Sequence, residues 1–317
     1  IFAKDDITVQ GTGSLEIKSP KNGIVAKDDL KITGGEIKVN AKAHALEAND
    51  SVRITSASLN LVAGKDGIHV ENEENAEKGY FYFESGTLLV TADGDGVDAS
   101  GTLSVSGGEI NIIGGGGSGK SLSADDSSAK GLKSDGDALV SGGKITVDSL
   151  DDGIHSNSSI AITGGEITIA SGDDGIHADT SLVIENGTIN VNKSYEGLEA
   201  QNVNISGGVI TVKASDDGIN AAGGNDGSSA GGRPGQNQFN ADANCFIKIS
   251  GGEIYVNADG DGIDSNGNLI VSGGKTIIEG PTDNGNGALD YDGTASVTGG
   301  VLVALGSSGM AMNFSSA

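Results

Sequence analysis

The sequence predicts an all-β fold, a right-handed parallel β-helix of about 12 coils with a 22-residue repeat. Three observations predict it. A Gly-Gly pair or a near relative recurs with its first member at Thr12, Gly34, Ser56, Ser85, Gly107, Gly142, Gly164, Asn186, Gly207, Gly251, Gly273 and Gly299. A second glycine follows 11 residues later inside an Asp-Gly-Ile turn, as in Asp152-Gly153-Ile154 and Asp174-Gly175-Ile176. Between the glycines, apolar residues alternate strictly, as Ile167 and Ile169 do, and that period of two means short strands.

Each element of the repeat has a physical reason. Strands of three to five residues bury no face alone, so each must stack on its counterpart one coil away, about 4.8 Å distant. Twelve such coils make a rod on the order of 58 Å long. Ile and Val point inward, and glycine occupies corners where a Cβ would block a positive-φ bend. Hexapeptide left-handed helices use about 18 residues per coil, which this period does not fit, and the GGxGxD units of a calcium roll are missing. The step from Gly207 to Gly251 is two periods long, yet reads as one coil plus a long loop. No linker divides the chain, so residues 1–317 form one domain with loop insertions near 71–82, 114–128 and 222–244.

Composition narrows the function. The chain has 54 Gly but only 3 Pro and no three-residue period, which excludes collagen. Its 19 basic against 44 acidic residues leave a charge of −25, with no footprint for nucleic acid or anionic lipid, and no apolar run is long enough for membrane insertion. The lone Cys245 forbids an internal disulfide framework. Oligomeric state is left open.

The charge concentrates beside the second glycine. One position before it stand Asp66, Asp95, Asp152, Asp174, Glu196, Asp217 and Asp261; two positions after it stand Glu47, His69, Asp98, His155, His177, Glu199, Asn220, Asp264 and Asp290. Like positions line up in a stacked coil, so these residues form ladders. Repulsion between carboxylates at that spacing is about 1 kcal/mol per pair even in water. A hard divalent cation relieves it, and calcium takes six to eight oxygens in irregular geometry. The candidate ligands are Asp66, Asp95, Asp98, Asp151, Asp152, Asp173, Asp174, Glu196, Glu199, Asp217, Asp261, Asp264 and Asp290. The plain alternative is that Asp before Gly is good turn chemistry with a solvated side chain. Zinc on His155 and His177 is a further alternative.

The repeats ISGGEIYVNADGDGID, ITGGEITIASGDDGIH and VSGGEINI resemble the bacterial, clostridial-type carbohydrate-binding proteins whose right-handed parallel β-helix is similar to that of polysaccharide lyases. The resemblance runs from about Ile7 to Leu305. It implies a secreted or cell-surface protein, its signal peptide removed, that binds several calcium ions and a plant cell-wall polysaccharide, cellulose or pectin, without catalysis. Calcium fits the charge, because pectic galacturonate is an anion that a −25 protein repels unless cations bridge the two. Neutral cellulose needs aromatic platforms, and with no Trp the candidates are Tyr80, Tyr82, Tyr195, Tyr255 and Tyr291. The run from Tyr80 to Phe83 also reads as a strand with Phe81 and Phe83 in the core.

Two other readings stand beside the binder. A calcium-dependent lyase of the pectate-lyase kind needs a basic side chain to take the proton α to the uronate carboxylate, and Lys133, or Lys130, is the candidate. Lysine among carboxylates is more naturally a fixed counter-ion, its pKa raised rather than lowered. Hydrolysis by paired carboxylates is weaker still. The third reading is a structural or adhesive surface rod.

Overall fold

A computed structural model describes residues 1–72, 74–75, 77–120, 129–222 and 241–315. Most of the Gly114–Ser128 and Ala222–Asn244 insertions therefore lies outside the described residues, as do Glu73 and Ala76 within the first insertion. The described chain is all strand and turn, with no helix, and every strand pairing is parallel. Each coil contributes three strands. In one complete coil these are Ile154–Ser156, Ser159–Ile162 and Glu166–Ser171. The six-residue strands stack twelve deep in one sheet, and the two shorter sets make up a 22-stranded one. The expected parallel β-solenoid with its 22-residue spacing is the fold observed.

Alternation does what the period implied. Ile154, Ile160, Ile162, Ile167 and Ile169 of that coil are all fully buried, and their equivalents continue one core along the rod. Register keeps it continuous: Ile145, Ile167, Ile189 and Ile210 pair in turn on consecutive coils. The long step after Gly207 is one coil, since Val209–Ala214 pairs directly with Glu253–Ala258. Phe81 and Phe83 are buried and Tyr80 and Tyr82 face outward, so that run is a core strand rather than an exposed loop.

The two glycine columns differ in cause. Gly165, second of its pair, has φ +103°, the bend expected. Gly153 has ordinary φ; instead a Cβ there would stand 2.4 Å from Ile169 Cγ2 and 2.6 Å from the Gly175 carbonyl oxygen. Sequence reasoning assigned both columns to positive φ. At the Asp-Gly-Ile corner the reason is close approach of the next coil, because the turn brings backbone against a core side chain there.

Candidate functional site

The Asp-Gly-Ile corner is built from short strands whose central residue points outward, flanked by two buried residues, the first of them aliphatic. Register stacks these central residues into the expected column: Glu47, His69, Asp98, Lys133, His155, His177, Glu199, Asn220, Asp264 and Asp290. Beside it runs the column before the glycine, and here the aspartates have a structural task. Asp66 Oδ1 accepts the backbone N–H of Asp95 at 2.9 Å, and Asp152 Oδ1 that of Asp174 at 3.0 Å. Asp217 does the same for Asp261 at 2.6 Å, and Asp261 for Gly287 at 2.5 Å. At these positions one carboxylate oxygen ties the coil to the next, which leaves the other free for a partner in the neighbouring column.

Along the first two thirds of the corner that partner is a cation or an imidazole. His69 Nδ1 lies 3.1 Å from Asp98 Oδ2 and 3.4 Å from Asp66 Oδ2. Lys133 Nζ is 2.9 Å from Asp98 and 4.0 Å from Asp95. Lys130 Nζ is 3.0 Å from Asp151 and 2.6 Å from Asp152, whose other neighbour is His155 at 2.8 Å. His177 Nδ1 reaches Asp174 at 3.0 Å and Glu199 at 2.8 Å. Burial opposes ionisation at Asp66, Asp98 and Asp152, but these partners outweigh it and hold all three carboxyls below the usual range. Burial likewise disfavours the His177 cation, yet the Asp174 and Glu199 carboxyls push it up to about 12. Asp174 itself is raised, by burial first and then by the charges of Asp152, Glu199 and Glu196, because two carboxyls there share one imidazole. Asp95, with Lys133 only at the limit of reach, is pushed up to about 7, chiefly by burial.

Beyond Glu199 the pattern changes. Asn220 donates to Glu196 at 2.7 Å, and then only acids follow. Single oxygens of Asp217, Asp261 and Asp264 lie within 4.8 Å of one another, and Asp264 pairs in register with Asp290. No lysine, arginine or histidine among the described residues comes within ion-pair distance of these four. Burial, then mutual repulsion, pushes Asp217 up to about 8 and Asp264 to about 7. Asp261 rises to about 6, again chiefly through burial. A divalent cation fits this donor set: oxygen-only, half-buried and lacking a positive partner. Asp151, Asp152 and Asp173 also converge, but Lys130 already supplies positive charge to the first two.

The tyrosines do not share a face. Tyr80 stacks under the Arg53 guanidinium at 4.9 Å and Tyr82 follows it on the same strand, whereas Tyr255 is on the long-strand sheet with its hydroxyl donating to Glu279 at 2.6 Å. Tyr291 is only 8 % exposed and bonds through its hydroxyl to the Asn313 carbonyl, so its ring belongs to the core and offers no platform. Tyr195 stands at the acidic corner itself. Its N–H donates to the Asp173 carbonyl, its carbonyl accepts from Asp216, and its hydroxyl bonds the Asp216 carboxyl, which raises the phenol pKa. Sequence reasoning passed over Asp216, Glu71 and His44; the last carried a signal, since it occupies the column before the glycine in the degenerate His44-Ala45-Leu46 turn.

A family model for carbohydrate-binding domain-containing proteins matches residues 1–175 and again 173–307. The chain belongs to that family. A carbohydrate-binding domain-containing protein from Acetivibrio thermocellus is 39 % identical over 117 residues, which is 37 % of this chain and 41 % of the relative. The chain thus aligns with less than half the length of that family member. No solved structure matches.

Proposed function

We propose that this protein is an extracellular, non-catalytic binder of plant cell-wall polysaccharide, with calcium at the acidic end of the corner joining it to pectic uronate chains. The observation that carries this reading is the cation-free run of Asp217, Asp261, Asp264 and Asp290. These residues would hold the ion, and an ion there supplies concentrated positive charge to an anionic sugar that the net −25 charge otherwise repels. Tyr195 and Asp216, one column away, offer a ring face and a hydrogen-bond acceptor to the sugar. Membership of the carbohydrate-binding family supports the same partner class. The scattered tyrosines favour acidic pectin over the flat face of cellulose.

The lyase alternative is disfavoured by Lys133 and Lys130. Burial lowers both pKa values, but their carboxylate partners more than reverse it, so both lysines stay charged. A proton acceptor needs the opposite shift. Retention on polygalacturonate with calcium, and release by a chelator, tests the binding reading; equal retention in chelator overturns it. Growth of ultraviolet absorbance from an unsaturated product, abolished in Lys133→Ala, would establish the lyase instead.

A further inference from the structure

We propose a transition-metal site of the zinc class at the opposite end of the same corner, formed by His44, Asp66 and His69. It is separate from the acidic run and does not depend on its function.

The two histidine pairs in the corner behave differently. His155 and His177 stack at 4.9 Å, but each ring is fully engaged in its own contacts: His155 Nε2 with Asn157 at 2.7 Å, and His177 Nε2 with Asp179 at 3.3 Å. Their Nδ1 atoms go to different aspartates, and Lys130 already contacts Asp152. His44 and His69 also stack, at 4.5 Å, but direct both Nδ1 atoms to one oxygen, Asp66 Oδ2, at 3.0 and 3.4 Å. His44 Nδ1 is buried and makes no hydrogen bond despite that approach. These three donors lie within 4.8 Å of one another, whereas Asp98 Oδ2, 3.1 Å from His69 Nδ1, stands outside the group. A tetrahedral ion with bonds near 2.0–2.1 Å has ligand-to-ligand edges of roughly 3.3 Å; the two measured edges bracket that value, and a water would take the fourth position.

The surroundings complete the case. His69 Nε2 lies 3.1 Å from Glu71 Oε2, the carboxylate–imidazole pairing that fixes the other nitrogen of a metal-bound histidine as the donor to its ion. Asp179 meets His177 Nε2 in the same way, at 3.3 Å, so what sets His69 apart is the Asp66 oxygen it shares with His44. His69 and Glu71 also line a cleft of about 420 Å³, which gives an ion a way in. Imidazole with carboxylate suits zinc, cobalt and nickel over calcium. Binding requires the two rings, 20° from parallel, to turn towards a shared centre about their soft Cβ–Cγ bonds. The ion displaces the proton that His69 Nδ1 otherwise shares with Asp66 and Asp98.

The test is equilibrium dialysis of the full chain against Zn2+ in excess Ca2+, with Co2+ as a spectroscopic probe. One ion per chain is expected, with the strong visible absorption of tetrahedral cobalt and proton release on binding. His44→Ala and His69→Ala should each weaken affinity by at least about 100-fold, and Glu71→Gln by about tenfold. His155→Ala and Asp217→Asn should leave it unchanged. If His69→Ala fails to fold, His44→Asn supplies the same comparison. No ion retained in excess calcium, octahedral cobalt spectra, or unchanged binding in the His44 variants would each overturn the proposal.

Discussion

The two ends of one corner answer the same problem in opposite ways. From Asp66 to Glu199, the carboxylates of Asp66, Asp98, Asp152, Asp174 and Glu199 each meet or share a lysine or imidazole at close range, and the columns mesh as a charge zipper. From Asp217 to Asp290 the backbone follows the same plan, with aspartate oxygens again on amide N–H groups, but no described residue supplies the positive column. The difference teaches that the aspartates are not there for metal as such. One oxygen of Asp66, Asp95, Asp152, Asp217 and Asp261 is structural, and the identity of the facing residue decides whether the other is neutralised from within or left to an ion.

The largest expected effect breaks the zipper. Lys130→Met leaves Asp151 and Asp152, both buried, without their shared cation and should cost about 3–5 kcal/mol of stability, read as a lowered denaturation midpoint. A loss below about 1 kcal/mol would show that the zipper is only decoration. The acidic run should respond in the other direction. Asp264→Asn removes repulsion and should stabilise the calcium-free protein by about 1 kcal/mol, while diminishing the stabilisation that calcium gives the unaltered chain.

Acidity separates the two ends further. Carboxyls raised to about 8, 7 and 6 at Asp217, Asp264 and Asp261 bind protons more tightly folded than unfolded, so without calcium their coils should gain stability as pH falls from about 8 towards the ordinary value of 3.8. Asp66, Asp98 and Asp152 are depressed; the stability they give is present above 3.8 and is lost only as pH falls below it. Hydrogen-exchange protection of the Ile263 amide, corrected for intrinsic rates, should therefore rise between pH 8 and pH 5 in calcium-free protein. The smallest effect concerns the ligand: Tyr195→Ala should weaken retention on polygalacturonate by about 1 kcal/mol, roughly fivefold, and leave the denaturation midpoint within error.

Much of this was legible in the residues. The period, the inward aliphatics and both outer columns follow from counting, because a solenoid converts sequence spacing directly into neighbours. The rest depended on directions that spacing does not encode. Nothing in Asp66 or Asp217 announces which oxygen turns back to the next coil's N–H. Gly153 looks like Gly165 in the sequence, but one makes room for Ile169 and the other bends through positive φ. Tyr291 was a candidate platform because neutral cellulose stacks on aromatics and the chain has no Trp, yet its strand position turns it into the core of the coils near the end of the described chain. His44 was visible only as a blemish in the repeat, and its meeting with His69 needed the register of two adjacent coils.

Calorimetric titration of Ca2+ into the metal-free protein and into the Asp217→Asn, Asp264→Asn double variant tests the central claim most directly. The account predicts saturable binding by the unaltered chain that the double variant loses, while the zipper end stays folded. An unchanged isotherm in the variant, or no heat in either protein, would contradict it.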